Sequence, residues 1–201
     1  VHYLSTRNNK ISESFLNILF QGLSKEGGLF LPSEWPSVSL KNLYDKSYNE
    51  VALEIIYPYV QSSISKDDLE LIINKTYQNF DNKKIAPLVE LEKNKFILEL
   101  FYGPTFAFKD YALQLLGNLF SHLLKNSNRK ITILGATSGD TGSAAIEAFK
   151  GKNNIEVFIL HPHNKVSEVQ RRQMTTVLDN NVNNIALKGT FDNCQKIVKD
   201  L

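Results

Sequence analysis

Residues Leu98–Tyr111 read LELFYGPTFAFKDY and mark the point at which the pattern of the chain changes. A short apolar run, Phe96–Phe101, leads into Gly103-Pro104, a dipeptide that is typical of turns. A helical pattern then extends over Phe106–Lys125, because its apolar residues recur every three to four positions. The stretch therefore predicts a strand, a turn and a long helix with a buried face.

Lys109 lies in the first turn of that predicted helix, next to Phe106, Ala107 and Phe108. The positive end of the helix dipole repels an ammonium ion, and apolar neighbours disfavour the charged form of an amine. A neutral lysine amine is a nucleophile that can form a covalent bond to an aldehyde. The alternative is that Lys109 and Asp110 are simply solvated at a helix start, with the lysine extending past Phe108.

The composition is that of an ordinary globular protein, with 201 residues of which 42% are hydrophobic and 22% charged. Its 23 basic and 21 acidic residues are interspersed, which predicts no nucleic-acid or membrane partner. The single cysteine, Cys194, fits a reducing compartment. No apolar run reaches the ~18 residues of a membrane span, and the first residues carry no signal core. We therefore expect a cytoplasmic protein, whose oligomeric state the sequence leaves open.

The first part of the chain shows three helical patterns, at Ser12–Gly22, Tyr48–Tyr57 and Ser65–Phe80. Ser12 is a candidate N-cap for the first of these helices, and SKDD at Ser65 resembles a capping box. The polar segment Asp81–Pro87 follows them and ends in proline, which favours a boundary there. We expect a small, mostly helical subdomain over residues 1–82 and an α/β domain over residues 83–201.

Beyond that boundary, strand and helix patterns alternate. Strands are predicted at Phe96–Phe101, Lys130–Leu134, Ile155–Leu160 and Asn183–Leu187. Helices are predicted at Phe106–Lys125, Thr141–Lys150, Val166–Val177 and Thr190–Leu201. This alternation is typical of a doubly wound parallel α/β sheet, in which ligands bind beyond the carboxyl ends of the strands. The loops Gly103–Lys109 and Gly135–Gly142 both leave strand ends, so we expect them to face one crevice.

The second of these loops is rich in glycine and hydroxyl groups, with LGATSGDTGS at Leu134–Ser143. Gly139 and Gly142 permit a tight backbone, and the amides that open the following helix suit a carboxylate or a phosphate. The loop is not a nucleotide motif, and Asp140 adds negative charge where a triphosphate would bind. The alternative is that Asp140 only N-caps the helix while the glycines only turn the chain.

Taken together, GPTFAFKD at Gly103–Asp110 and ATSGDTG at Ala136–Gly142 closely resemble the threonine synthase family. These enzymes use pyridoxal 5'-phosphate (PLP) on the tryptophan-synthase-like fold, fold type II of the PLP enzymes. Two further runs support this family over its relatives: KVSEVQRRQMTTV at Lys165–Val177 and KGTFDNCQKIVK at Lys188–Lys199. The QGL…GGLF run within Gln21–Phe30 also fits the N-terminal helical segment of the family. The resemblance covers essentially the whole chain.

The resemblance also implies roles for particular residues. Lys109 matches the lysine that holds PLP covalently and later carries protons, and Phe108 and Asp140 are expected to border the cofactor. A substrate site is expected at Thr105, Thr137, Ser138, Gly139, Asp140, Thr141 and Gly142. Tyr102 stands where many members have histidine, and Asp140 stands where dehydratase relatives have asparagine. No metal is expected, since His161-Pro162-His163 has no partners at ligand spacing.

The implied reaction converts O-phospho-L-homoserine and water to L-threonine and phosphate, in threonine biosynthesis. The enzyme class is a PLP-dependent carbon–oxygen lyase acting on phosphate. In this fold the loop that grips the PLP phosphate and the group that faces the pyridine nitrogen come after the segment ending at Leu201. We therefore expect an N-terminal portion that is inactive by itself. The alternatives are a threonine synthase-like phospholyase, a dehydratase, or a non-catalytic binding module derived from a decayed enzyme.

Overall fold

The computed structural model describes residues 1–125 and 127–201. These residues form two compact units, Val1–Asn74 and Lys75–Leu201. The domain boundary predicted between residues 82 and 83 falls somewhat later in the chain than this division, and it stays a prediction. None of the described helices is both long enough and apolar enough to cross a membrane.

The first unit combines helices with a small antiparallel sheet. Its strands are β1 (Tyr3–Ser5), β2 (Ser12–Glu13) and β3 (Phe30–Pro32), in the order β2-β1-β3. Its helices are α1 (Phe15–Gln21), a short 3-10 helix (Leu40–Leu43), α2 (Tyr48–Val60) and α3 (Lys66–Tyr77), the last of which continues into the second unit. Weak alternation at Val1–Thr6 predicts an edge strand, and β1 forms there, but as the central strand of the sheet. Strands β2 and β3 were not predicted, because strands of two or three residues are shorter than the alternation by which strands are recognised.

The ends of these helices differ from the prediction in two places. Ser12 is not an N-cap but lies in β2, and the N-cap of α1 is Ser14, whose hydroxyl accepts a hydrogen bond from the Asn17 amide. The helix ends at Gly22 as predicted. Helix α2 continues through Pro58, where the pattern predicted its end.

The second unit contains a hairpin and a parallel sheet. Strands β4 (Leu88–Glu92) and β5 (Lys95–Leu98) pair antiparallel. Strands β6 (Ile131–Ala136), β7 (Ile155–Pro162) and β8 (Val182–Leu187) pair parallel, in the order β6-β7-β8. Its helices after α3 are α4 (Asp110–Leu124), α5 (Asp140–Phe149), α6 (Glu168–Thr175) and α7 (Phe191–Asp200). The predicted α/β class is confirmed, with three of the four expected strands in the parallel sheet.

The fourth expected strand is a correction. Of the run predicted as a strand at Phe96–Phe101, only residues 96–98 are extended, as part of β5, and β5 pairs with β4 and not with the parallel sheet. The turn between them places Asn94 at φ 64, a left-handed conformation that asparagine tolerates better than most residues. A short apolar run does not by itself indicate its pairing partner, so the hairpin was not predicted.

The core of the second unit brings the starts of two helices together. The central strand β7 is buried at Ile155, Val157 and Ile159. Helices α4 and α5 pack closely, since a Cβ at Gly117 would collide with the Ala148 carbonyl oxygen. Both helices begin directly after the two glycine-containing loops, and the side chains of Lys109 and Asp140 at their starts meet, so those loops lie at one end of the helix pair.

Candidate active site

The turn that carries the lysine is built around a buried carboxylate. Asp110 is fully buried, and its oxygens accept hydrogen bonds of 2.7 Å from the Thr105 amide and 2.7 Å from the Thr105 hydroxyl. Gly103 gives this carboxylate room, because a Cβ there would lie 2.5 Å from an Asp110 oxygen. Burial raises the pKa of Asp110, and the bonds from Thr105 oppose that rise. The alternative that Asp110 is solvated is therefore wrong.

Lys109 is the N-cap residue of α4, and the prediction that it lies in the first helical turn is wrong. The three residues before it precede the helix, and Phe106 has φ 62, which is strained for a bulky side chain. The Lys109 Nζ lies 4.6 Å from the centroid of the Phe108 ring and 3.6 Å from a carboxylate oxygen of Asp140. The amine is thus held between an aromatic ring and a carboxylate and is not freely solvated.

The glycine-rich loop is organised by Thr137. This residue is buried, and its hydroxyl accepts from the amides of Gly139 (3.0 Å) and Gly142 (2.9 Å) while lying 3.1 Å from the Gly139 carbonyl, to which it donates. Gly139 is the N-cap of α5 and Asp140 is the first residue of the helix, so the alternative that Asp140 is the N-cap is wrong. The Thr137 side chain therefore holds the shape of the loop.

The residues of this loop fall into a buried set and an exposed set. Thr137, Gly139 and Gly142 are buried, whereas Ser138, Asp140 and Thr141 are exposed. The exposed set lies at the N-terminus of α5, where helix amides and the positive end of the helix dipole favour an anion. Two hydroxyl groups, from Ser138 and Thr141, are therefore available to a ligand there.

Helix α6 contributes two residues that the sequence did not single out. The Gln170 side-chain amide donates a hydrogen bond to Asp140, and the Gln173 amide donates to the Thr105 carbonyl at 3.3 Å. These glutamines lie three positions apart and therefore on one face of the helix. That spacing is the sequence signal that could have indicated a shared role for the two glutamines.

The contact between Lys109 and Asp140 confirms that the two loops face one crevice, as predicted. The crevice offers an amine at the head of one helix and, opposite it, hydroxyls and amides at the head of another. An aldehyde could bond to the amine, and a neighbouring carboxylate or phosphate could be held by the hydroxyls and amides. The residues present therefore fit an aldehyde-bearing cofactor and an anionic substrate.

Two other predicted features lie apart from these contacts. The Tyr102 hydroxyl donates a 2.6 Å hydrogen bond to Glu99, and this bond to a carboxylate raises the pKa of Tyr102. His161 is buried, and desolvation lowers its pKa; with His163 and Arg171 it lines a cavity of about 400 Å³. Within residues 1–125 and 127–201, no group of three or more histidine, cysteine or acidic residues is arranged to hold a metal ion.

Comparison with solved structures identifies the class of fold. The chain superimposes with a TM-score of 0.92 and 44% identity on the crystal structure of PLP-bound threonine synthase from Brucella melitensis, covering 99% of this chain and 44% of that one. Its fold is therefore that of the fold-type II PLP enzymes.

The amino-acid sequence is also similar to that of a known enzyme family. Residues 2–77 match the family model described as the threonine synthase N terminus. The chain is 47% identical to threonine synthase of Pseudomonas aeruginosa over 99% of its own length and 43% of the relative's. Threonine synthase-like 2 of Xenopus laevis is 37% identical. The chain is therefore similar in sequence and fold to the N-terminal portion of threonine synthases, which confirms the resemblance, and it spans less than half the length of these relatives.

Proposed function

We propose that this chain supplies the lysine-bearing part of a PLP-dependent threonine synthase. The reaction is the conversion of O-phospho-L-homoserine and water to L-threonine and phosphate in threonine biosynthesis. One observation carries the proposal: the Lys109 amine lies 3.6 Å from Asp140, across a crevice formed by the two loops that bear the family motifs. The predicted cytoplasmic location belongs to the same proposal.

Lys109 is the residue that would hold the cofactor, with Phe108 and Asp140 beside it. When bound, PLP withdraws electrons from the substrate and so makes proton removal from carbon accessible. An amine that is free of the cofactor can take up a proton and return it. In its protonated form Lys109 is attracted by the Asp140 carboxylate, so it remains in the crevice between these transfers.

The glycine-rich loop would receive the substrate carboxylate. Ser138 and Thr141 are exposed beside the N-terminus of α5, where hydroxyls, amides and the helix dipole all favour an anion. Thr137, Gly139 and Gly142 act indirectly by holding the backbone in shape. Thr105 acts in the same way on the lysine side, since both its amide and its hydroxyl are bonded to Asp110.

The test is a chimeric enzyme in which this chain replaces the segment that it matches in the Pseudomonas aeruginosa threonine synthase. We expect the chimera with PLP to release phosphate from O-phospho-L-homoserine and to form L-threonine. Lys109→Ala should lower this rate at least about 100-fold, because a positioned proton carrier contributes that much or more. Lys196→Ala, which removes an exposed lysine from α7, is the matched control and should keep the activity.

The alternatives predict other results. A chimera that deaminates L-threonine and does not use O-phospho-L-homoserine would establish the dehydratase. A chimera that folds, binds PLP and turns over neither substrate would favour the non-catalytic module. The lower identity to threonine synthase-like 2, at 37% against 47%, supports threonine synthase over the phospholyase homologue. The chain by itself with PLP should show no turnover, and any turnover would contradict its expected inactivity.

A further inference from the structure

The carboxylate of Asp140 is held from two sides. One of its oxygens lies 3.6 Å from the Lys109 Nζ, while the other accepts a hydrogen bond from the side-chain amide of Gln170. Because the two oxygens have different partners, the plane of the carboxylate is set by Gln170. Asp140 is otherwise exposed, so without this bond its side chain would be free to turn toward solvent.

Gln170 is itself held in a defined orientation. Its side-chain oxygen accepts a 2.9 Å hydrogen bond from the Ser167 hydroxyl, and a carboxylate can only accept, so the nitrogen of the amide must face Asp140. Its amide group also packs on Gly139, where any Cβ would collide with it. The rotamer of Gln170 is thus fixed both by hydrogen bonding and by packing.

Gln170 occupies a position in α6 at which a glutamine side chain commonly caps the start of the helix. Ser167 is the N-cap of α6, and Gln170 stands at the position where a capping box uses glutamine to bond back to the N-cap amide. Here the Gln170 oxygen accepts from the Ser167 hydroxyl in place of the Ser167 amide, and the nitrogen, which a capping box does not use, donates to Asp140. The side chain therefore bonds both the end of its own helix and Asp140.

We propose that Gln170 is a positioning residue that aims the Asp140 carboxylate at the Lys109 amine. Its importance for the reaction rests on the function proposed above, but the arrangement itself can be tested without turnover. By keeping Asp140 directed at Lys109, Gln170 keeps the amine in the crevice beside the carboxylate, where it is less accessible to a reagent from solvent.

The test measures how fast the Lys109 amine of the 201-residue chain is acetylated by a pulse of acetic anhydride at fixed pH, read by mass spectrometry of the peptide that carries it. Gln170→Met keeps the length of the side chain and its packing on Gly139 but cannot donate a hydrogen bond. We expect it to raise the rate about two- to fivefold, the range expected for loss of a partly exposed ion pair. Gln170→Asn is too short to reach Asp140 and should do the same.

A double-mutant cycle with Asp140→Asn separates positioning from a general structural effect. Asp140→Asn alone should raise the acetylation rate, and Gln170→Met should then add no further increase, because it acts only through the carboxylate. Gln173→Met is the matched control on the same helix, and its effect should be equal in both backgrounds, since Gln173 bonds Thr105 and not Asp140.

Two outcomes would overturn the proposal. One is an unchanged Lys109 rate in both Gln170 variants. The other is a Gln170→Met effect that persists undiminished beside Asp140→Asn. Both results concern the amine alone, so they are distinct from a chimera that fails to turn over O-phospho-L-homoserine.

Discussion

At the scale of single residues, Asp110 is a buried carboxylate that helps to set the shape of the turn before Lys109. It follows the lysine in sequence, yet it is fully buried and accepts both hydrogen bonds that Thr105 can donate into the turn. The Lys109 amine is thereby presented at the end of a turn whose shape depends on a neighbouring carboxylate.

Replacing this carboxylate tests that dependence. Asp110→Asn keeps the size of the side chain but turns an amide donor toward a group that also donates, so we expect a loss of about 1–3 kcal/mol in the free energy of unfolding. Urea unfolding of the chain measures it. The control is Asp192→Asn, an exposed aspartate in the first turn of α7, which should change stability by less than about 0.5 kcal/mol. Equal losses at both positions would contradict the role of Asp110.

The raised pKa of Asp110 also predicts how the difference in unfolding free energy between the wild type and Asp110→Asn depends on pH. Between its unfolded and its folded pKa the native state binds the proton more tightly, so this group contributes less stability as the pH rises through that interval. The stability of the wild type relative to Asp110→Asn should therefore be greatest in acid and decrease to a plateau above the folded pKa. Unfolding free energies measured from acid to neutral pH check this, and a difference that grows with pH would contradict it.

At the scale of elements, helix α6 connects the two loops of the crevice. Its eight residues include two glutamines that reach opposite loops and one buried methionine, Met174, that fastens the helix to the core. A Cβ at Gly142 would lie 2.8 Å from the Met174 sulfur, so the glycine-rich loop and α6 are in direct contact.

Shortening the Met174 side chain should weaken the packing of α6 against the core. Met174 is fully buried, and Met174→Ala should cost about 2–5 kcal/mol in unfolding free energy, because the side chain leaves a cavity. It should also increase hydrogen exchange across α6 and the glycine-rich loop. Val169→Ala, on the exposed side of the same helix at 70% exposure, should leave both unchanged. Protection of the loop that is unaffected by Met174→Ala would show that α6 does not support it.

At the scale of the whole molecule, the hairpin β4–β5 carries several large apolar side chains that are exposed. Every residue of both strands is exposed, including Leu88, Leu91, Phe96 and Leu98. Exposed apolar side chains and unpaired strand edges both favour association between molecules.

We therefore expect the 201-residue chain to self-associate as its concentration rises, as measured by sedimentation velocity. Leu91→Glu combined with Phe96→Lys should shift the distribution toward monomer, because charges on exposed strands oppose edge-to-edge pairing. The matched control is Leu40→Glu with Tyr44→Lys, which places the same charges at exposed apolar residues of the first unit. Association that persists in the hairpin variant and is lost in the control would contradict this prediction.

The sequence alone determined the class of fold and the two loops. The alternation of apolar runs indicated strands β6 to β8 with their helices, and the GPTFAFKD and ATSGDTG motifs indicated Lys109 and the loop around Asp140. These signals are local, since they depend on the period of side chains along one segment and on residues that turn the chain.

Only the tertiary structure decided which side chains meet. The pairing of β5 with the neighbouring β4 was a choice between two possible partners that the apolar run could not make. The burial of Asp110, the inward position of Thr137 and the reach of Gln170 to Asp140 depend on segments that are distant in sequence or on which face of a turn is covered. Helical spacing indicates that Gln170 and Gln173 share a face, but only the packing of α6 against both loops determines what that face touches. A local pattern does not show which distant segment its side chains will contact. The two loops of the crevice could therefore be predicted from their own motifs, whereas the residues that hold those loops in place could not.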